Sequence, residues 1–140
     1  MTTTENAPPG GSEIQETISF LSQKVLADLA SAMTVAMCAV GDRLGLFRAM
    51  AGAGPLTVDE VAERAAVSPS YCREWLQAVA HGGYVDRAGD RFHLPDGRAL
   101  ALADARMPFY IGGAFQQAVA LLGPFEELVE AFRTGQGVTP

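Results

Sequence analysis

Large apolar residues near the start of the chain recur at the spacing of an α-helix. Five of them follow one another at steps of four, three, four and four positions, which stacks their side chains on one helix face. They are Ile14, Ile18, Leu21, Val25 and Leu29. We therefore predict a helix that begins at Glu13, with Ser12 as its N-cap.

This helix continues through a stretch that is apolar on nearly every side. No charged residue occurs between Asp28 and Asp42. A helix of this kind is normally buried on more than one side, and a chain of 140 residues has one core of limited size. We predict that a second copy covers part of the helix, so that the chain is a homodimer through its long N-terminal helix. The alternative is an internal core helix.

Glycines and a proline divide the segment that follows. Gly41 and Gly45 are predicted to interrupt the long helix. A short helix is expected over Asp42–Met50, and a loop over Ala51–Pro55.

Two closely spaced helices come next, and each has a recognisable start. Thr57 and Glu60 form the pattern of a capping box, in which the Thr57 hydroxyl accepts from the Glu60 amide and the Glu60 carboxylate accepts from the Thr57 amide. Ser68 is the predicted N-cap of the second helix, and Pro69 suits its first position. Gly82-Gly83 ends that helix. The pair predicts a helix-turn-helix.

Two short strands are predicted after this pair, at Tyr84-Val85 and Arg91–Leu94, with the hairpin turn over residues 86–90. A short helix is expected over Asp96–Asp104, and a last amphipathic helix from Phe125. The predicted fold class is mainly α: a winged helix-turn-helix with a small β-hairpin wing, plus long N-terminal and C-terminal helices of the dimerisation type.

The domain organisation follows from composition. Residues 1–12 are polar and contain a Pro-Pro-Gly-Gly run, which predicts a disordered leader and does not fit a signal peptide. Residues 13–140 are predicted to form a single domain. Because no uninterrupted run of about 18 apolar residues occurs, no transmembrane helix is expected. We therefore expect a cytoplasmic protein.

The charge balance argues against a nucleic-acid-binding protein. The chain carries 10 basic and 16 acidic residues, a net charge of -6, whereas DNA binding normally needs an excess of Lys and Arg on one face. A DNA-reading alternative would use Arg73 and Gln77, which lie on the second helix of the helix-turn-helix.

The sequence contains no pattern that predicts a catalytic or metal site. Cys38 and Cys72 lie in apolar, helical surroundings and are predicted to be buried and reduced. The two histidines, His81 and His93, do not share a helix turn, so no metal site is expected. Nucleophile-elbow, P-loop and dinucleotide-binding motifs are not found in the sequence.

Several segments, in this order, resemble the N-terminal helical and winged-helix domain of class I S-adenosylmethionine (SAM)-dependent methyltransferases that act on small molecules. They are Val40–Phe47, Leu56–Ala62, Val67–Leu76, Gly82–Val85 and Pro108–Phe115. The similarity covers the chain from about Phe20 to its end.

The resemblance implies a domain that dimerises through its long helices and supplies one wall of a substrate pocket. It implies that SAM binds in a following Rossmann-like domain that this chain lacks, because Gly135–Pro140 resembles the start of the linker to that domain. The chain alone is then not catalytic. The pocket wall implied by the resemblance is formed by Met33, Met37, Phe109, Tyr110, Phe115 and Gln116. Ordinary core packing is the alternative role of these residues.

Two other functions remain open at this point. The chain is alternatively a stand-alone winged-helix transcriptional regulator. A third interpretation is a non-catalytic small-molecule-binding protein derived from the methyltransferase domain.

Overall fold

A computed structural model describes residues 10–138, which form seven helices and three strands. The helices are α1 (Gly11–Leu44), α2 (Leu46–Met50), α3 (Val58–Ala65), α4 (Pro69–His81), α5 (Asp96–Leu102), α6 (Gly113–Leu122) and α7 (Phe125–Thr134). The strands are β1 (Leu56–Thr57), β2 (Asp86–Ala88) and β3 (Arg91–His93). The prediction of a mainly α winged helix is confirmed.

The described residues divide after Met33 into two compact units. The described part of the first unit is the first part of α1, which begins at Gly11, two residues before the predicted start. Ser12 therefore lies inside the helix and is not its N-cap. Of the predicted disordered leader, residues 1–9 lie outside the described residues, and residues 11 and 12 are helical.

The second unit contains a single apolar core. Its largest fully buried side chains belong to Trp75, Phe47, Leu46, Met50, Leu76 and Leu94. The rings of Phe47 and Trp75 meet edge to face with centroids 5.0 Å apart. The Trp75 indole Nε1 donates a hydrogen bond of 2.8 Å to the Met37 carbonyl, so the one polar atom of this ring has a partner in the core.

Gly41 does not interrupt α1, contrary to the prediction. It is buried inside the helix, and a Cβ at this position would lie 2.7 Å from Cε2 of the Trp75 indole. A glycine is present because the Trp75 ring lies directly against the α1 backbone, not because the helix ends there. The break occurs at Gly45, which adopts a φ of 70° between α1 and α2.

The predicted helix-turn-helix is present as α3 and α4. The capping box is confirmed, since the Glu60 amide donates to the Thr57 hydroxyl and the Thr57 amide donates to the Glu60 carboxylate, each at 3.3 Å. Pro69 occupies the first turn of α4 as predicted. The Ser68 hydroxyl makes no capping bond and instead lies 3.0 Å from the Ser70 hydroxyl.

The wing differs from its prediction in one strand. The sheet has the order β1-β3-β2, with both pairs antiparallel. Tyr84 and Val85, predicted as the first strand, are not in the sheet, because both their amides donate to the Val79 carbonyl at the end of α4. The first strand of the wing is instead β2, which follows these two residues. The two-residue turn from β2 to β3 begins at Gly89, where φ is 62°.

By length and composition, α1 is also a helix that a membrane could accommodate. One 18-residue window in it has a mean hydropathy of 1.5 and no more than two charged residues. The prediction above considered only uninterrupted apolar runs and therefore did not detect it. Core helices of soluble proteins pass the same test, so the finding assigns no membrane span.

Candidate functional site

A hydrogen-bonded group of polar side chains joins the end of α1 to the segment around the start of α6. The Tyr110 hydroxyl donates to Oδ1 of Asp42. The Gln116 side-chain amide donates to Oδ2 of Asp42 at 3.0 Å and to the Ala39 carbonyl at 2.8 Å. Arg43 donates from Nη2 to Oε1 of Gln116 at 2.8 Å. Two of the predicted pocket residues, Tyr110 and Gln116, therefore meet at Asp42.

The hydrogen bonds of this group fix the positions of its side chains. Both carboxylate oxygens of Asp42 accept a hydrogen bond. Burial, followed by the hydrogen bond to Asp42, raises the pKa of Tyr110 to about 12, so its hydroxyl stays protonated and donates at neutral pH. A Cβ on the neighbouring Gly112 would lie 2.6 Å from the Asp42 carboxylate, which explains the glycine there.

The other four predicted pocket residues lie in different surroundings. Phe115 is buried in the core, and its ring meets that of Tyr84 edge to face at 5.6 Å. Met37 is half-buried against the same core. Phe109 is exposed, and Met33 is an exposed residue of the first unit. The structure thus brings Tyr110 and Gln116 together and gives Phe115 and Met37 core contacts.

An apolar groove of about 380 Å³ lies between α6 and the second part of α1, residues 34–44. Its lining consists of Ala36, Ala39, Val40, Arg43, Leu44 and Val119. The five residues on α1 are spaced three, one, three and one positions apart, which places them on one helix face. Alanine at two of these positions leaves the space that forms the groove.

The surface on which a DNA-reading function would depend has balanced charges. Arg73 and Gln77 are exposed on α4, and Glu74 is exposed beside Arg73. Gln77 also borders a depression that is lined by His81 and Arg87.

The arginines near the wing have partners close by. Arg91 lies 3.7 Å from a carboxylate oxygen of Glu60, and Arg98 lies 2.7 Å from one of Asp86. Arg87 donates to the Gly89 carbonyl within the wing turn. Arg91 and Arg98 thus have acidic neighbours, which reduces the positive charge that this surface offers to phosphates.

Cysteine chemistry and metal binding find no support in the described residues. Cys38 and Cys72 are free and buried, as predicted. Burial raises the pKa of the Cys38 thiol to about 12 and also raises the pKa of Cys72, so neither is an activated nucleophile. Across residues 10–138, no three His, Cys, Asp or Glu side chains come together in an arrangement that could hold a metal ion.

A model of one protein family, the Rv2258c-like winged HTH domain, matches residues 31–104. The chain belongs to this family. The matched region of the Rv2258c-like domain runs from Ser31 in α1 through the helix-turn-helix and the wing to just beyond α5.

A curated relative connects this domain to methyltransferases. The chain is 36% identical over 98 residues to the tetracenomycin polyketide synthesis 8-O-methyltransferase TcmO of Streptomyces glaucescens. The match covers 69% of this chain and 29% of TcmO. The resemblance stated from the sequence is therefore confirmed: the Rv2258c-like domain here is homologous to the N-terminal winged-helix part of O-methyltransferases.

Solved structures share the fold. PigF with SAH superposes with a TM-score of 0.68 and 20% identity, covering 79% of this chain and 32% of PigF. The mitomycin 7-O-methyltransferase MmcR gives 0.67 and 23%, covering 89% and 37%. Human N-acetylserotonin methyltransferase in complex with SAM gives 0.64 and 21%, covering 83% and 35%. The chain spans about a third of the length of these proteins.

Sequence reasoning did not identify the roles of Asp42 and Arg43. Both lie in Val40–Phe47, a segment that contributed to the resemblance but received no function. Their partners are distant in sequence: Tyr110 is 68 positions from Asp42, and Gln116 is 73 positions from Arg43. No local pattern signals a hydrogen bond over such separations. The glycine at position 112 is the one feature of the sequence that is consistent with this contact, because the backbone there lies close to Asp42.

Proposed function

We propose that this chain is the dimerisation and substrate-pocket domain of a SAM-dependent methyltransferase-like protein and does not transfer a methyl group by itself. The observation that supports this most is the 36% identity to an 8-O-methyltransferase over 98 residues. Those residues account for 29% of that enzyme. The described residues contain a three-stranded antiparallel sheet, whereas a Rossmann-like cofactor site needs a parallel sheet.

Dimerisation through α1 is supported by the surface of its first part. Eight large apolar side chains between residues 14 and 33 are each more than half exposed: Ile14, Ile18, Phe20, Leu21, Val25, Leu26, Leu29 and Met33. A monomeric soluble protein rarely exposes so many apolar side chains along one element. A self-complementary surface on a second copy would cover them in a two-fold dimer.

Light scattering tests the dimer. The chain should have twice the 14.7 kDa of a single copy. Ile18→Glu introduces a charge into the apolar surface and should return the mass to that of one copy, because an unpaired charge is not buried in an apolar interface.

The control variant for this experiment is Tyr71→Glu. Tyr71 is 79% exposed and belongs to α4, not to the proposed interface helix α1. This variant should keep the dimeric mass. A single-copy mass for the unmodified chain, or a dimeric mass for Ile18→Glu, would contradict the proposal.

We propose that this chain supplies one wall of the substrate pocket. Tyr110 and Gln116 contribute through their shared contact with Asp42, which fixes the segment before α6 against α1. Phe109, which is 68% exposed, has an aromatic face free to contact a ligand. Met37 and Phe115, which also have core contacts, are the remaining residues of the proposed wall in the second unit. Met33, the sixth predicted pocket residue, lies in the first unit and is not placed in this wall.

Where a catalytic domain follows this one, SAM is the proposed cofactor, bound outside the residues described here. Calorimetric titration of the chain with SAM should show no binding. A saturable binding heat with one site per chain would contradict this part of the proposal and would make the chain a cofactor-binding protein.

We propose a cytoplasmic location, which fractionation of the source cells tests. Recovery of the chain with membranes would contradict it.

A further inference from the structure

Among the described residues that border the groove between α1 and α6, one side chain is charged. Five of its six lining residues are alanine, valine or leucine, and the sixth is Arg43. Its volume of about 380 Å³ falls within the range of pockets that bind small organic molecules. An apolar wall with a small number of polar groups is the usual composition of such pockets, because the polar groups fix the orientation of the ligand.

Arg43 is held without being neutralised. Its Nη2 donates to the side-chain carbonyl of Gln116 at 2.8 Å, and that bond orients the guanidinium. None of the ion pairs formed within residues 10–138 includes Arg43. The adjacent carboxylate, that of Asp42, accepts from Tyr110 and Gln116 instead. Since a guanidinium has five N–H donors, Arg43 retains donors for another acceptor.

We infer that this groove binds an apolar carboxylic acid, with the carboxylate on the Arg43 guanidinium and the hydrocarbon body along Ala36, Val40 and Val119. The planar guanidinium fork can pair with a carboxylate through two parallel N–H···O bonds. The groove walls offer the body no polar partner, so an aliphatic or aromatic body suits them. This inference goes beyond the proposed function, because it concerns a ligand that the chain binds with its own residues and without SAM.

Decanoate and its neutral analogue decanol are the probes for this site. Calorimetric titration of the unmodified chain should show one decanoate bound per chain, and weaker binding of decanol. Arg43→Gln removes the charge, so it should weaken decanoate binding by about tenfold or more, the usual effect of losing a hydrogen bond to a charged group. The same variant should leave decanol binding unchanged.

Two further variants test whether the ligand occupies the groove. Val119→Phe and Ala36→Phe each place a ring in it and should abolish binding of both probes. Val119 is exposed, so its replacement does not disturb the core. Arg73→Gln, which removes an exposed arginine on α4, should bind decanoate as the unmodified chain does.

Three results would overturn the inference. One is equal decanoate affinity in Arg43→Gln and in the unmodified chain. Another is undiminished decanoate binding in Val119→Phe, which would place the ligand elsewhere. The third is a lack of decanoate binding by the unmodified chain, including the case in which a second copy covers the groove. Failure of the dimer experiment would not affect these measurements, because they report on binding per chain.

Discussion

The two parts of α1 are both rich in apolar residues but differ in how much of them is buried. In Gly11–Met33, the large apolar side chains are exposed, whereas Cys38, Ala39 and Gly41 in the following part are buried. Both parts are rich in apolar residues, so hydrophobicity alone does not tell them apart. The difference lies in what contacts them: the second part has Trp75 and Gln116 as partners within its own unit. An apolar helix is therefore a core element only where the rest of the chain supplies a matching surface.

The largest expected change in stability comes from removing Trp75, the main contact of the buried second part of α1. Trp75→Ala removes the edge contact to Phe47 and the hydrogen bond to the Met37 carbonyl. We expect the free energy of unfolding to fall by about 3–5 kcal/mol, as for other buried tryptophans. Urea unfolding followed by circular dichroism measures it. A loss below about 0.5 kcal/mol, the range of surface substitutions, would contradict the described core.

The two ends of α1 can be compared directly through their glycines. Gly41→Ala places a Cβ against the Trp75 indole, with Cε2 2.7 Å away, and should destabilise the fold by about 1–3 kcal/mol despite the better helix propensity of alanine. Gly11→Ala meets nothing within 4 Å and should leave stability unchanged or slightly higher. Thermal unfolding of both variants provides the comparison. Equal stability of the two variants would mean that the buried and exposed parts do not differ as described.

The smallest expected effect separates two helix starts within the second unit. Thr57→Ala removes the hydroxyl that accepts from Glu60 and should lower the free energy of unfolding by about 1 kcal/mol. Ser68→Ala is its matched control, since the Ser68 hydroxyl makes no capping bond, and should change stability by a few tenths of a kcal/mol. Urea unfolding measures both. A larger loss for Ser68→Ala than for Thr57→Ala would reverse the assignment.

Features that depend on neighbouring residues could be predicted from the sequence. The capping box of Thr57 and Glu60, Pro69 in the first turn of α4, and the break at Gly45 all follow from local backbone chemistry, and the structure contains each of them. The helix-turn-helix follows from these signals together.

Features that depend on distant contacts could not be predicted. The sequence predicts a helix break at Gly41, because nothing near it in the chain indicates its neighbour in the core, Trp75, which lies 34 positions away. β1 was missed because two residues are too short to show an alternating pattern. In the candidate site, Tyr110 and Gln116 were named from the resemblance, but Asp42, which joins them, was not.

The claim that a second copy covers the first part of α1 is tested most directly by amide hydrogen exchange. Most of the stability of a protein helix comes from the packing of its apolar face, so the amides of this segment should exchange rapidly unless another surface covers it. At high protein concentration we predict slow exchange over residues 11–33 in the unmodified chain and fast exchange over the same residues in Ile18→Glu, with α4 equally protected in both. Fast exchange over residues 11–33 in both proteins would contradict the account.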